Sequence, residues 1–187
     1  MRIALVKAPA TYANWYKIPL LGLCHLAASL EAEGHEVAIL DAYFRDWNKD
    51  RLSREITAWK PDIVGFTAMT HEIDTCAEIA GELKPDIVKV IGGPHVTALP
   101  RRTMEQYPSF DYGIVGEGER IFPELIESIA NETEPQLDSV VYRVNGRVLD
   151  KKYTSVYLTE QEFDNLSFPS VEHYFDGYKG HRSYPVM

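Results

Sequence analysis

Two glycine-rich tetrads follow directly on short apolar runs and are the residues best suited to hold a ligand. These are Gly92-Gly93-Pro94-His95, after Val88 to Ile91, and Gly116-Glu117-Gly118-Glu119, after Tyr112 to Val115. Adjacent glycines remove Cβ atoms where a large ligand or another stretch of backbone must come within contact distance, and they permit positive φ. A tight turn with no ligand accounts for Gly92-Gly93 equally well. In the second tetrad the glycines free backbone N–H groups at a helix start to meet an anion or the polar edge of a ligand. Glu117 and Glu119 can accept hydrogen bonds from hydroxyls or amides. A glutamate in a first helical turn also suits the helix dipole, so Glu119 has a purely structural explanation beside the functional one.

These loops gain meaning from the elements that carry them. The first two-thirds of the 187-residue chain alternates β-rich apolar runs with segments of helical period, the pattern of an α/β fold with a doubly wound, five-stranded parallel sheet, flavodoxin-like and Rossmann-like. The strands are expected at Ile3 to Lys7, Glu36 to Leu40, Ile63 to Thr67, Val88 to Ile91 and Tyr112 to Val115. A helical stripe of Leu20, Leu23, Cys24, Ala27 and Leu30 stops at Gly34, and another joins Leu52, Ile56 and Trp59, with Asp50 available as its cap. Further stripes run through Ile73, Cys76, Ala77, Ala80 and Leu83 and through Phe122, Leu125, Ile126 and Ile129, and a short helix is expected from Pro100 to Gln106. In such a sheet, ligands sit beyond the carboxyl ends of the strands. The functional loops are therefore Ala8 to Pro19, Ala68 to Glu72, Gly92 to Pro100 and Gly116 to Arg120.

After Glu134-Pro135 the pattern changes. Ser139 to Val144, Asn145-Gly146 and Arg147 to Leu149 read as a hairpin, since Asn-Gly favours the tight primed turn, and it is expected to lie outside the five-unit sheet. The organisation expected is a ligand-binding unit over 1–134, a hairpin appendage over 135–152 and a linker over 153–187. The net charge of −9 and the lack of a dense Lys/Arg cluster make nucleic acid a poor partner. No apolar run approaches the roughly 20 residues that span a bilayer, and the first residues read as a strand rather than a signal peptide, so the expectation is a cytoplasmic protein without a membrane partner. Cys24 and Cys76 fall at apolar helix positions and form no C-x-x-C pair, which points to buried packing rather than metal binding.

Taken in order, Pro19-Leu20-Leu21-Gly22-Leu23, Gly34-His35-Glu36-Val37 leading to Asp41, Pro61 to Thr67, Gly92 to Thr97 and Gly116 to Glu119 resemble the N-terminal domain of cobalamin-dependent radical S-adenosylmethionine proteins. That family includes anaerobic magnesium-protoporphyrin ester cyclases and many methyltransferases. Leu166-Ser167-Phe168-Pro169 resembles the family's linker, and Ser183 to Met187 looks like the segment before the C-x-x-x-C-x-x-C motif that binds a 4Fe-4S cluster. The resemblance implies a cobalamin whose nucleotide tail is withdrawn from cobalt and buried between sheet and helices. Thr67, Met69, Thr70, Gly92, Gly93, Pro94, His95 and the loop Gly116, Glu117, Gly118 and Glu119 are expected around it. It also implies a radical S-adenosylmethionine domain in the same parent chain, with its cluster and S-adenosylmethionine, and no catalysis by this stretch alone.

One departure is specific. Other corrinoid domains place D-x-H-x-x-G after the first strand, the histidine ligating cobalt, whereas Ala8 to Tyr16 contains no histidine. Tyr12, Asn14 or Trp15 is expected beneath the corrin, with Ala10 and Thr11 also at the cofactor and no histidine replacing the withdrawn base. His95 is expected at the nucleotide tail or in a helix-start hydrogen bond, and His71 at the beginning of a helix. Two other readings remain open here: a corrinoid-type module that senses or lacks the cofactor, and a flavodoxin-like nucleotide-binding domain in which Asp41 takes a ribose hydroxyl. The second lacks G-x-G-x-x-G after the first strand.

Overall fold

The computed structural model describes residues 1–9, 17–150 and 158–175. A seven-stranded sheet runs in the order β2-β1-β3-β4-β5-β6-β7. Its parallel part is β1 (Arg2–Lys7), β2 (Glu36–Asp41), β3 (Ile63–Thr67), β4 (Val88–Gly92) and β5 (Tyr112–Ile114). Crossovers put α1 (Leu21–Ala32) and α6 (Gly118–Ala130) on one face. The other face takes α2 (Lys49–Trp59), α3 (Ile73–Glu82), α4 (Pro94–Ala98) and α5 (Pro100–Gln106). Because both faces are covered, the central strands are buried along nearly their whole length rather than at alternate residues. In β1, Ile3 and Leu5 enter the core under α1 and α6, while Ala4 and Val6 enter the core under α2 and α3.

The helix ends follow local chemistry. The Asn48 side chain, not Asp50, caps α2, accepting from the Arg51 amide at 2.9 Å; Asp50 lies inside the first turn, where a carboxylate is favourable without capping. Lys60 ends α2 in the left-handed conformation, φ 54°, immediately before Pro61. The stretch after Gly93 forms α4, a short helix with Pro94 in its first turn that the sequence pattern does not announce.

The hairpin is part of the sheet and not outside it. Strand β6 (Val140–Val144) pairs antiparallel with β5, and β7 (Arg147–Asp150) pairs antiparallel with β6. The physical reason is the free edge of β5, whose backbone groups need partners; Val140 and Val141 are fully buried once β6 supplies them. The last described segment also differs from a plain linker. After α7 (Glu160–Asp164), the chain turns at Ser170 into α8 (Glu172–Phe175), and Tyr174, 1% exposed, enters the α1-side core beside Phe44. Among the described residues no helix is long and apolar enough to cross a membrane.

Candidate functional site

The strand order reverses between β1 and β3, so the connections leaving these strands diverge and a crevice opens at their carboxyl ends. A cavity of about 280 Å³ lies there, between the strand ends and the first turns of α1 and α6. Its walls are apolar: Leu5, Val90 and Ile114 from the sheet, Leu20, Leu23 and Leu26 from α1, and Phe122 from α6. Gly65 makes this wall possible from the middle of β3. A Cβ there would stand 2.9 Å from Phe122 Cε1 and 3.3 Å from Leu5 Cδ2, so only glycine lets the Phe122 ring close on the strand. Since a cavity of about 150 Å³ takes up benzene, this one has room for a fused aromatic ring.

Polar groups gather at the rim. Thr67, Gly92, Gly93, Gly116, Glu117, Gly118 and Glu119, all expected from the sequence, line the cavity together. Gly116, φ 86°, donates its N–H to Thr97 Oγ1 at 3.0 Å, which ties the turn before α6 to α4. Glu117 accepts from the Leu158 amide at 2.5 Å. Burial pushes the Glu119 carboxyl above the ordinary glutamate range; a hydrogen bond from its own amide opposes the rise, neighbouring Glu117 adds to it, and His25 opposes it. The Nδ1 atom of His25 is buried and, among the described residues, without a hydrogen-bond partner.

The two adjacent glycines have different jobs. Gly93 adopts φ 94° and ψ −177°, and a Cβ on it would lie 2.7 Å from Thr67 Oγ1 and 2.9 Å from the Ala68 amide nitrogen. Its missing side chain is thus filled by the chain's own β3 exit, where Ala68 donates to Gly92 and accepts from the His95 amide. Gly92 is the open one, its nearest neighbour at 3.9 Å.

Other expected residues lie apart from the cavity. Met69 is 44% exposed, Thr70 and Pro94 are also exposed, and His95 is buried in α4 with Nδ1 3.2 Å from Thr70 Oγ1. Burial holds the His95 imidazole below the ordinary histidine pKa. His71 precedes α3 and is exposed, with Nε2 3.6 Å from Glu72. Ala10, Thr11, Tyr12, Asn14 and Trp15 lie outside the described residues.

The structure adds residues the sequence pattern missed. Lys7, at the end of β1, bonds Glu72 at 2.5 Å, and the same Glu72 oxygen accepts from the Met69 amide at 2.8 Å. The two side chains are 15% and 3% exposed, so a largely buried ion pair stands at the point where the sheet order reverses. The only available sign was a lysine closing an otherwise apolar strand. Asp41, the candidate for a ribose hydroxyl, is instead 2% exposed and occupied by the Phe44 amide and the Tyr174 hydroxyl, at 2.8 and 2.9 Å. Burial pushes both thiols, Cys24 and Cys76, up to about 12, and they sit on opposite faces of the sheet. Among the described residues no group of three or more His, Cys, Asp or Glu could hold a metal ion.

Known proteins resemble this chain in sequence and fold. An uncharacterized methyltransferase of Pyrococcus horikoshii is 33% identical over 180 residues, covering 92% of this chain and 38% of the relative. The anaerobic magnesium-protoporphyrin IX monomethyl ester cyclase of Rubrivivax gelatinosus is 36% identical over 120 residues, covering 62% of this chain and 21% of the cyclase. The chain therefore spans well under half the length of these relatives. Among solved structures, the radical S-adenosylmethionine methyltransferase TsrM of Kitasatospora setae, with cobalamin and a 4Fe-4S cluster bound, superposes with a TM-score of 0.68 at 24% identity over 81% of this chain and 30% of that one. The cobalamin-dependent S-adenosylmethionine radical enzyme OxsB, with aqua-cobalamin and S-adenosylmethionine bound, gives 0.73 at 19% identity over 94% of this chain and 25% of that one. The model of the B12 binding domain family matches residues 15–126, a stretch that runs from before α1 through the exits of β3, β4 and β5 into α6, and the chain therefore belongs to that family.

Proposed function

We propose that this chain binds cobalamin with the nucleotide tail withdrawn from cobalt and housed in the cavity between α1, α6 and the sheet. The observation that carries the reading is the pairing of an apolar-walled cavity of about 280 Å³ with a rim of glycines and carboxylates. An aromatic base fits the walls, and hydroxyl or amide donors fit the rim. Leu5, Leu23 and Phe122 keep water from the base, the Gly92 backbone gives close approach, and Glu119 is placed to accept from a donor on the ligand. Bound there, the cofactor would supply a cobalt able to carry a methyl group or an electron. Within a longer parent chain, the reading extends to a radical S-adenosylmethionine part, with a 4Fe-4S cluster, carrying out methyl transfer or radical ring chemistry. Residues 1–134 would form the corrinoid-holding unit, with 135–152 finishing its sheet edge and 153–187 leading toward that part.

The test compares cobalamin with cobinamide, which lacks the nucleotide, by absorbance and equilibrium dialysis. Cobalamin is expected to bind at least about tenfold more tightly, equal to about 1.4 kcal/mol, with the visible band of a tail-withdrawn corrinoid. Gly65→Leu drives a side chain against Phe122 and fills the cavity. It is expected to remove the preference for cobalamin while cobinamide binding persists. Equal affinity of the unaltered protein for both would refute the tail-binding reading.

Beneath the corrin we expect no histidine. Neither His95, whose Nδ1 lies against Thr70 Oγ1, nor His71, beside Glu72, lines the cavity. Electron paramagnetic resonance of the cob(II)alamin-loaded protein should therefore lack nitrogen superhyperfine splitting from an axial ligand, and an imidazole pattern would overturn this assignment.

A further inference from the structure

We infer that Tyr174 is a positioning residue for the cavity wall, and that the segment Ser170–Phe175 and an occupant of the cavity stabilise one another through α1. The inference rests on the cobalamin reading and adds to it a part of the chain beyond the family-matched residues 15–126. Helix α1 lends Leu20, Leu23 and Leu26 to the cavity. It begins on Leu20, which offers no side-chain cap, so the first turn needs an outside partner. Tyr174 provides one: its hydroxyl accepts from the Leu20 amide at 3.1 Å and donates to Asp41 at 2.9 Å. Its ring meets Phe44 edge-on at 4.8 Å.

The same segment grips the rest of α1. The Ser170 amide donates to the Cys24 carbonyl at 3.1 Å, and the Ser170 hydroxyl and the His173 ring both reach Glu31 near the helix end, at 2.6 and 2.7 Å. From the strand side, Arg45 donates to the His173 carbonyl at 2.8 Å. Helix α1 therefore lies between the cavity and this strap. A base packed against Leu20, Leu23 and Leu26 restrains α1 from one side, and the strap restrains it from the other. Restraints that share one element are linked, and binding linkage is reciprocal.

Hydrogen exchange of the full chain with and without cobalamin reads this directly. None of Ser170 to Phe175 lines the cavity, yet cobalamin is expected to slow their amides about fivefold, the lower end of typical coupling. Tyr174→Phe keeps the ring, loses the hydroxyl, and is expected to abolish that protection and weaken cobalamin about fivefold. Ile56→Val, on α2 in the opposite core, is the comparison for a general loss of stability, and it should leave both unchanged. Cobalamin uptake with protection confined to cavity-lining segments would sink the coupling alone, as would equal weakening by the two variants. No uptake by the unaltered protein would instead remove the cobalamin reading and this inference with it. The measurement on the unaltered chain decides the coupling even where Tyr174→Phe folds poorly.

Discussion

Gly93→Ala is expected to lower the free energy of unfolding by about 4 kcal/mol. At φ 94° and ψ −177° the residue occupies a region that is essentially glycine's alone, where another residue costs about 1–3 kcal/mol. The added Cβ would also sit 2.7 Å from Thr67 Oγ1, 2.9 Å from the Ala68 nitrogen and 3.1 Å from its oxygen. Two of those atoms are backbone in the β3 exit and cannot turn aside, so overpacking adds about 1–3 kcal/mol. Urea denaturation measures the loss as a lower midpoint with an unchanged slope. Gly92→Ala is the contrast. Its Cβ would meet nothing closer than 3.9 Å, so stability should change by less than about 1 kcal/mol while cobalamin affinity falls. Similar destabilisation by both variants would show that the β3 exit yields, and the account of Gly93 would fail.

Glu72→Ala is expected to cost about 3 kcal/mol. Removing one member of a buried ion pair strands the other charge, typically at about 3–5 kcal/mol, and the lower figure applies because the Lys7 side chain keeps 15% of its surface in water. The variant also frees the Met69 amide from its acceptor. Glu72→Gln retains an oxygen for that amide and for the lysine, so it should cost roughly half as much. A loss below about 1 kcal/mol for Glu72→Ala would mean that Lys7 reaches solvent and that the pair does not hold the turn after β3. These two variants probe the same junction from different sides: Gly93 closes the β3 and β4 exits against each other, and Lys7 with Glu72 closes β1 against the start of α3.

Much of this architecture is legible in the residues. The unbroken apolar runs of β1 and β3, the three-and-four spacing of Leu23, Ala27 and Leu30, and Gly34 at φ 83° past α1 each follow from local backbone and burial rules. The Gly116 to Glu119 tetrad was placed at the cavity by the same logic, because a parallel sheet directs its loops to one edge. Local rules also mislead where neighbours offer equal chemistry. Asn48 and Asp50 are both good caps, and only the geometry at the Arg51 amide selects Asn48.

The amino-acid order by itself determined an α/β sheet, the loops that would meet at one edge of it and the turn at Asn145-Gly146, since each depends on residues close in sequence, and it carried the family resemblance through motifs read in order from Pro19 to Glu119. Only the tertiary structure decided that the hairpin extends the sheet from β5, that Lys7 meets Glu72 across 65 positions, that Asp41 is claimed by Tyr174 across 133, and that Gly65 is the space for Phe122. Such pairings between distant residues leave no periodic mark in the chain. They arise because a free strand edge, a buried charge and a buried hydroxyl must each find a partner, and which partner is within reach is settled by how the layers pack.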